Sequence, residues 1–248
     1  MPLREKIRVK RFIRRLFWII AALAILITAY GTVLAFPEPL FAHKYSYKNF
    51  VVYSRTPIDD RIRPELDVVS QRLAKSELND PNIVHRVFVA GSSFWYTFFN
   101  GPYRGAMARN YEFNNSIFVP QLDLSSEKVV HFDGRTAPIA TILAHEMAHT
   151  LSQKRLGLIR SWRTPSWKKE GYAEYIGDPR TDPLIDDLRM LESVGDEAPV
   201  PKRYFEAAIL WRYLADIRKM SFAEIMSGSV VREAVVEDLH AWEKAQNK

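Results

Sequence analysis

The chain has 248 residues, 35 basic and 29 acidic side chains, a formal charge of +6 and no cysteine. That length suits one domain plus an appendage, and a hydrophobic share of 47% with 26% charged residues excludes wholesale disorder. The missing cysteines exclude a disulfide scaffold, cysteine-ligated zinc and thiol catalysis.

The charge is local. Residues 1–15 carry Arg4, Lys6, Arg8, Lys10, Arg11, Arg14 and Arg15 against Glu5, which is seven minus one, or +6. The remainder holds 28 basic and 28 acidic residues and is formally neutral. The positive balance is therefore no footprint of a nucleic acid, and none is expected as a partner. Residues 16–36 follow with no charged side chain over 21 positions, about 30 Å as a helix, which matches the apolar thickness of a bilayer. Trp18 and Tyr30 lie near the ends of the run, where amphipathic rings favour the interface. The expectation is a basic cytoplasmic tail (1–15) and a single transmembrane helix (16–36), with the rest of the chain on the extracytoplasmic side. The alternative is a signal peptide that is cleaved on export, which Ala35 and Ala42 keep open.

Residues 37–48, with Pro37 and Pro39, read as a stalk, and residues 49–248 as the folded domain. Within it, 49–53 (NFVVY) and 86–90 (RVFVA) are strand candidates. Between them, Ile58, Ile62, Leu66, Val69 and Leu73 recur at helical spacing and predict a helix over about 59–77. Residues 92–115, rich in aromatics, Gly and Asn, receive no assignment. Residues 116–120 (SIFVP) read as a third strand, and Pro120 suggests a strand end or an edge. From 137 onward the pattern is helical. A helix over 139–155 takes Thr136 as N-cap, Pro138 in its first turn and Gly157 as its stop. Shorter helices are expected at 167–176 and 184–193, the latter inside an acidic, solvated stretch. A further helix is expected over 202–219, and a last one begins at the capping-box pattern Ser221-Phe-Ala-Glu224 and runs to about 244. Strands early and helices late predict an α+β fold with a small mixed sheet.

Residues 145–149 are His-Glu-Met-Ala-His. Histidines at i and i+4 project from one helix face, so their nitrogens can share one metal ion, and Glu146 beside them can take a proton from water. Two solvent-facing histidines are the bland alternative. Against it, Ile139, Ile142, Leu143, Ala144, Met147, Ala148 and Leu151 make the helix apolar over most of its circumference, so it is expected to be buried, and buried imidazoles need partners. The remaining histidines, His43, His85, His131 and His240, have no such spacing and are expected to be structural or on the surface.

Twenty-one residues after His149 stands Glu170, within Trp167-Lys-Lys-Glu170-Gly-Tyr-Ala-Glu174-Tyr175. Together with the helix motif this resembles the gluzincin metallopeptidases, the broad group containing thermolysin and aminopeptidase N. The resemblance covers residues 137–176. It implies a zincin-like peptidase, here behind the expected membrane anchor, acting on a peptide or protein substrate, with Zn2+ held by His145, His149 and Glu170 and with Glu146 as general base. It also implies Glu174 as the carboxylate that orients His145, Tyr204 as a donor to the oxyanion, and an edge strand at Ser116, Ile117, Phe118 and Val119 that pairs with the substrate backbone. Gly171 is expected to serve close helix packing. Gly105-Ala-Met107 matches only part of the aminopeptidase exopeptidase motif and lacks its Glu, so an aminopeptidase is not implied. The cluster Arg160, Arg163, Lys168 and Lys169 would favour acidic substrates. A binding protein that keeps the fold without turnover is the alternative function.

Overall fold

The computed structural model describes residues 3–111, 113–193 and 202–246 and divides into two units, Met1–Phe41 and Ala42–Lys248. In the first, the basic tail and the apolar run form one continuous helix, α1 (Leu3–Ala35). Its segment Lys10–Ala35 is long and apolar enough to cross a membrane or to serve as a signal sequence. The helix stops before Pro37, which has no N–H to donate and whose ring crowds the preceding turn, and a 3-10 turn follows at Glu38–Leu40.

The second unit begins with β1 (His43–Tyr47), which pairs antiparallel with β2 (Phe50–Ser54). The stretch expected to be a stalk therefore supplies a strand, with Tyr45 and Tyr47 packed on the core and Ser46 between them exposed. Lys48 turns the chain at φ 51. Helix α2 (Arg63–Ala74) crosses over to β3 (His85–Val89), parallel to β2. Helix α3 (Ser93–Asn100), capped by the Ser92 hydroxyl, and β4 (Arg109–Tyr111) occupy the region that periodicity left unassigned. Strand β5 (Ser116–Val119) completes a sheet of order β1-β2-β3-β5-β4.

This order corrects the expectation for residues 116–119. β5 is an interior strand, parallel to β3 on one side and antiparallel to β4 on the other, and Ser116, Ile117, Phe118 and Val119 are all buried. Its backbone partners are already within the sheet, so it offers no edge to a substrate. Beyond it lies β4, the last strand in the sheet order.

One sheet face, with Val52, Val87, Ile117 and Val119, joins α2 and later helices in a single core. The other carries stacked aromatics, with Phe88–Phe118 centroids 5.0 Å apart and Phe99–Phe118 centroids 4.5 Å apart. A second, antiparallel sheet of β6 (Leu122–Asp123), β7 (Lys128–Val130) and β8 (Thr136–Pro138) leads into α4 (Ile139–Leu156). Thr136 thus opens a strand and does not cap the helix. The cap comes from α2, where the buried Glu65 carboxylate accepts the Ala140 N–H at 3.0 Å, a placement that also suits the positive end of the helix dipole. Gly157 ends α4 at φ 75, as its sequence position suggested.

Next come α5 (Leu158–Arg163), α6 (Ser166–Gly177), α7 (Leu184–Ser193) and α8 (Lys202–Arg212), the last running into a π-turn at Tyr213–Ile217. The capping box at Ser221 and Glu224 is present, but α9 (Phe222–Ile225) stops after four residues. α10 (Arg232–Gln246) is a separate helix where one was expected. The acidic stretch is also less solvated than its composition suggested. Asp187 is 1% exposed and is clamped by Arg180, at 2.7 Å, and by Arg212 of α8. Residues 194–201 of that stretch lie outside the described residues.

Helix α6 packs against both α4 and α8. A Cβ on Gly171 would stand 2.5 Å from the Ala207 carbonyl oxygen of α8. In an exposed helix Gly→Ala is stabilising by about 1 kcal/mol. Here the sign is expected to reverse, with Gly171→Ala costing about 1–3 kcal/mol because backbone, which cannot swing aside, must move; urea unfolding checks it. His85 gives a second expectation. It is buried beside Phe50, and its Nδ1 lacks a hydrogen-bond partner among the described residues. Burial, aided by the Lys154 charge, pushes its pKa down to about 4. A lowered folded pKa gives stability that is present above the unfolded value near 6.5 and lost as pH falls through about 4. Unfolding free energy is therefore expected to fall by up to about 1.4 kcal/mol per pH unit in that window from this group, and His85→Leu to remove about one proton from the slope in a pH series of unfolding curves.

Candidate metal centre

α4 is buried around most of its circumference, as its apolar flanks predicted, with Leu143, Ala144, Met147, Ala148 and Leu151 in the core. His145, Glu146 and His149 lie on the strip that remains half-open. α6 crosses this strip and places Glu170 and Glu174, one helical turn apart, over the histidines.

The three expected ligands converge. His145 Nε2 and His149 Nε2 are 3.2 Å apart, and Glu170 Oε2 lies 3.5 Å from the first and 3.4 Å from the second. A tetrahedral ion bound at about 2.1 Å needs ligand atoms roughly 3.4 Å apart, so the observed triangle already has the edge length of such a site. Three protein ligands leave a fourth position for water or substrate. Glu174 is placed as expected too: its Oε1 is 3.2 Å from His145 Nδ1, the ring nitrogen turned away from the cluster.

The electrostatics follow from this crowding. Burial opposes charge on His145, but Glu170 and Glu174 outweigh it and push the imidazole's pKa up to about 10. Burial likewise opposes charge on Glu170, yet the two histidines hold its carboxyl well below the usual range.

Two supports were not visible in the sequence. A Cβ on Gly177 would meet His145 Cβ at 2.8 Å, so only glycine lets the end of α6 lie on α4 at this turn. Arg72 of α2 donates to Thr141 Oγ1 of α4 at 2.9 Å and to the Gly177 carbonyl, joining three helices behind the site. Glycine beside a ligand helix was the one available signal; nothing in the spacing marked Arg72.

Glu146 is half-buried next to the triad, and its charge is felt at His145 and at the Tyr96 phenol. Tyr96 is itself buried and donates to the Ala106 carbonyl at 2.6 Å. Tyr204 lies half-buried in the first turn of α8, where Arg203 donates to its hydroxyl at 3.5 Å. Among the described residues no hydrogen bond joins it to the histidines. The edge strand β4 packs beside α4. Its Asn110 pairs in register with Ile117, on the helix-facing side of the sheet, and the buried amide has no hydrogen-bond partner among the described residues. Lys168, expected in a surface cationic cluster, is instead buried and donates to the Ser227 carbonyl at 2.6 Å.

Neither of two cavities among the described residues is lined by the triad. One of about 420 Å³ opens at the far end of α4, between Glu77, Leu151, Lys154 and Phe222. Another, of about 150 Å³, lies behind Glu174 against Arg72, Asp178 and Arg212. Donor chemistry and spacing identify the centre.

No protein-family model matches the chain, and no curated protein sequence matches it.

The Glu174 contact generates an expectation. Losing a carboxylate that orients a ligating histidine costs about 10–100-fold in metal affinity. Glu174→Gln is expected to weaken binding of cobalt(II), followed by its visible absorption, by that factor while the stoichiometry stays at one ion. Unchanged affinity would mean that Glu174 has no part in the centre.

Proposed function

We propose that this chain is a zinc-dependent peptidase held at a membrane by its N-terminal helix. The observation that carries the reading is the near-equilateral triangle of His145, His149 and Glu170, with edges of 3.2, 3.4 and 3.5 Å. Two imidazoles and one carboxylate with an open fourth position are the donor set of a catalytic rather than a structural zinc site. The resemblance of residues 137–176 to gluzincins supports the same ligands and supplies the reaction class. The apolar segment Lys10–Ala35 supports the tether, with the basic residues before it favouring a cytoplasmic N-terminus.

When bound, zinc supplies a Lewis acid and lowers the pKa of water. The chain's own residues do the rest. Glu146 accepts a proton from the attacking water and returns it to the departing amine nitrogen. Glu174 holds His145 by its outer nitrogen and keeps the inner one facing the triad. Tyr204 keeps the role of donor to the developing oxyanion that the resemblance gives it. The pairing of substrate backbone, expected first at Ser116–Val119, passes to β4, the last strand in the sheet order, which packs beside α4.

The purified full chain is expected to carry close to one equivalent of zinc and to hydrolyse a peptide library only when zinc is present. Glu146→Gln is expected to lower turnover by about 10²–10⁴-fold with zinc retained. Full activity in that variant overturns the mechanism. Zinc bound but no hydrolysis under any condition favours a binding protein that keeps the fold. Less than a tenth of an equivalent of metal removes both readings.

A further inference from the structure

α5 links the two helices that carry the metal-binding residues, and only Ser161 of its six residues is buried. Leu158 and Ile159 are 65% and 70% exposed, and Trp162 is 88% exposed, more than any other large apolar side chain among the described residues. Along this stretch of the chain the charge has one sign. From Met147 to Lys169 there are six basic residues and no acid, although the chain beyond residue 15 is neutral as a whole. Lys154, Arg155, Arg160 and Arg163 of this stretch are exposed, and none of them makes an ion pair among the described residues.

Exposed Trp, Ile and Leu ringed by unpaired arginines have the composition of an element that lies in a lipid interface. We propose that α5 docks on an anionic bilayer surface, with Leu158, Ile159 and Trp162 entering the boundary between headgroups and acyl chains and Arg155, Arg160 and Arg163 engaging lipid phosphates. The inference rests on the tether proposed above. So small a patch binds lipid weakly by itself, and the tether supplies the effective concentration that makes the contact persist. Since α5 is bounded by α4 and α6, docking holds the candidate metal centre near the membrane surface.

The absence of cysteine makes the test direct. Ile159→Cys in the full chain carries a single nitroxide, with one chain per lipid nanodisc of phosphatidylcholine, with or without phosphatidylglycerol. The label is expected to be reached by oxygen and shielded from a water-soluble nickel chelate in the anionic discs. A label at Lys244→Cys, exposed on α10, is expected to remain in water. Adding Arg160→Glu and Arg163→Glu is expected to return the label at 159 to water. Equal nickel access at 159 and 244 in both lipids overturns the inference. So does shielding at 159 that ignores both phosphatidylglycerol and the charge reversals, which would mark a protein contact. A label at Ile25→Cys separates the two readings: if it lies in water, tether and inference fall together, and if it lies in lipid while 159 stays in water, the docking alone is wrong.

Discussion

The closeness of α6 to its neighbours governs the candidate centre. Glu170 reaches two imidazoles on α4 because the helices nearly touch, and they can do so because Gly177 replaces a side chain with empty space at His145. Gly171 does the same on the side facing α8. α6 is therefore fixed from two directions, and Glu170 and Glu174 inherit that placement. Buried charges that could shift would solvate themselves and separate; here backbone packing keeps two carboxylates and two histidines together. The raised pKa of His145 is the electrostatic trace of that constraint.

A second tier of contacts fixes α4 itself. The Glu65 carboxylate meets its first turn, and Arg72, two turns further along α2, reaches Thr141 and the end of α6. Both come from a helix that contributes nothing to the triad. Burial raises the Glu65 pKa while the Ala140 N–H opposes it, so this cap is held at an electrostatic cost that the positive end of α4 offsets in part. α2 thus has two functions in the unit, covering the sheet with Leu66, Val69 and Leu73 and orienting the helix that bears the histidines.

What the sequence disclosed follows from the range of each interaction. The two histidines were legible because helical spacing turns a local pattern into a shared face, and because an apolar α4 left them in need of partners; Glu170 and Glu174, on another helix, were marked only by the resemblance of residues 167–175 to gluzincins. The strands at 50–54, 85–89 and 116–119 were legible from runs of β-branched and aromatic residues. Arg109–Tyr111 was not, since three residues carry no periodicity, and without it β5 was read as an edge. β1 follows Pro37 and Pro39, which favour a stalk, and its alternation of Tyr with polar residues spans only five positions, too few to outweigh them. The Glu65 cap and the Arg72 bridge join positions far apart in the chain, where no local pattern can register them. The same holds for Asp187, which composition placed in solvent and which two arginines enclose.

The supports of the centre are spread from Glu65 through His145, Glu170 and Gly177 to Ala207. No short peptide contains them, so an ion cannot gather the ligands before the tertiary structure exists. This is the reverse of a zinc finger, where metal and fold appear together. Any ion here would be a late guest: a chelator should remove it and leave the helices standing, and reloading should be limited by access to the site, not by refolding.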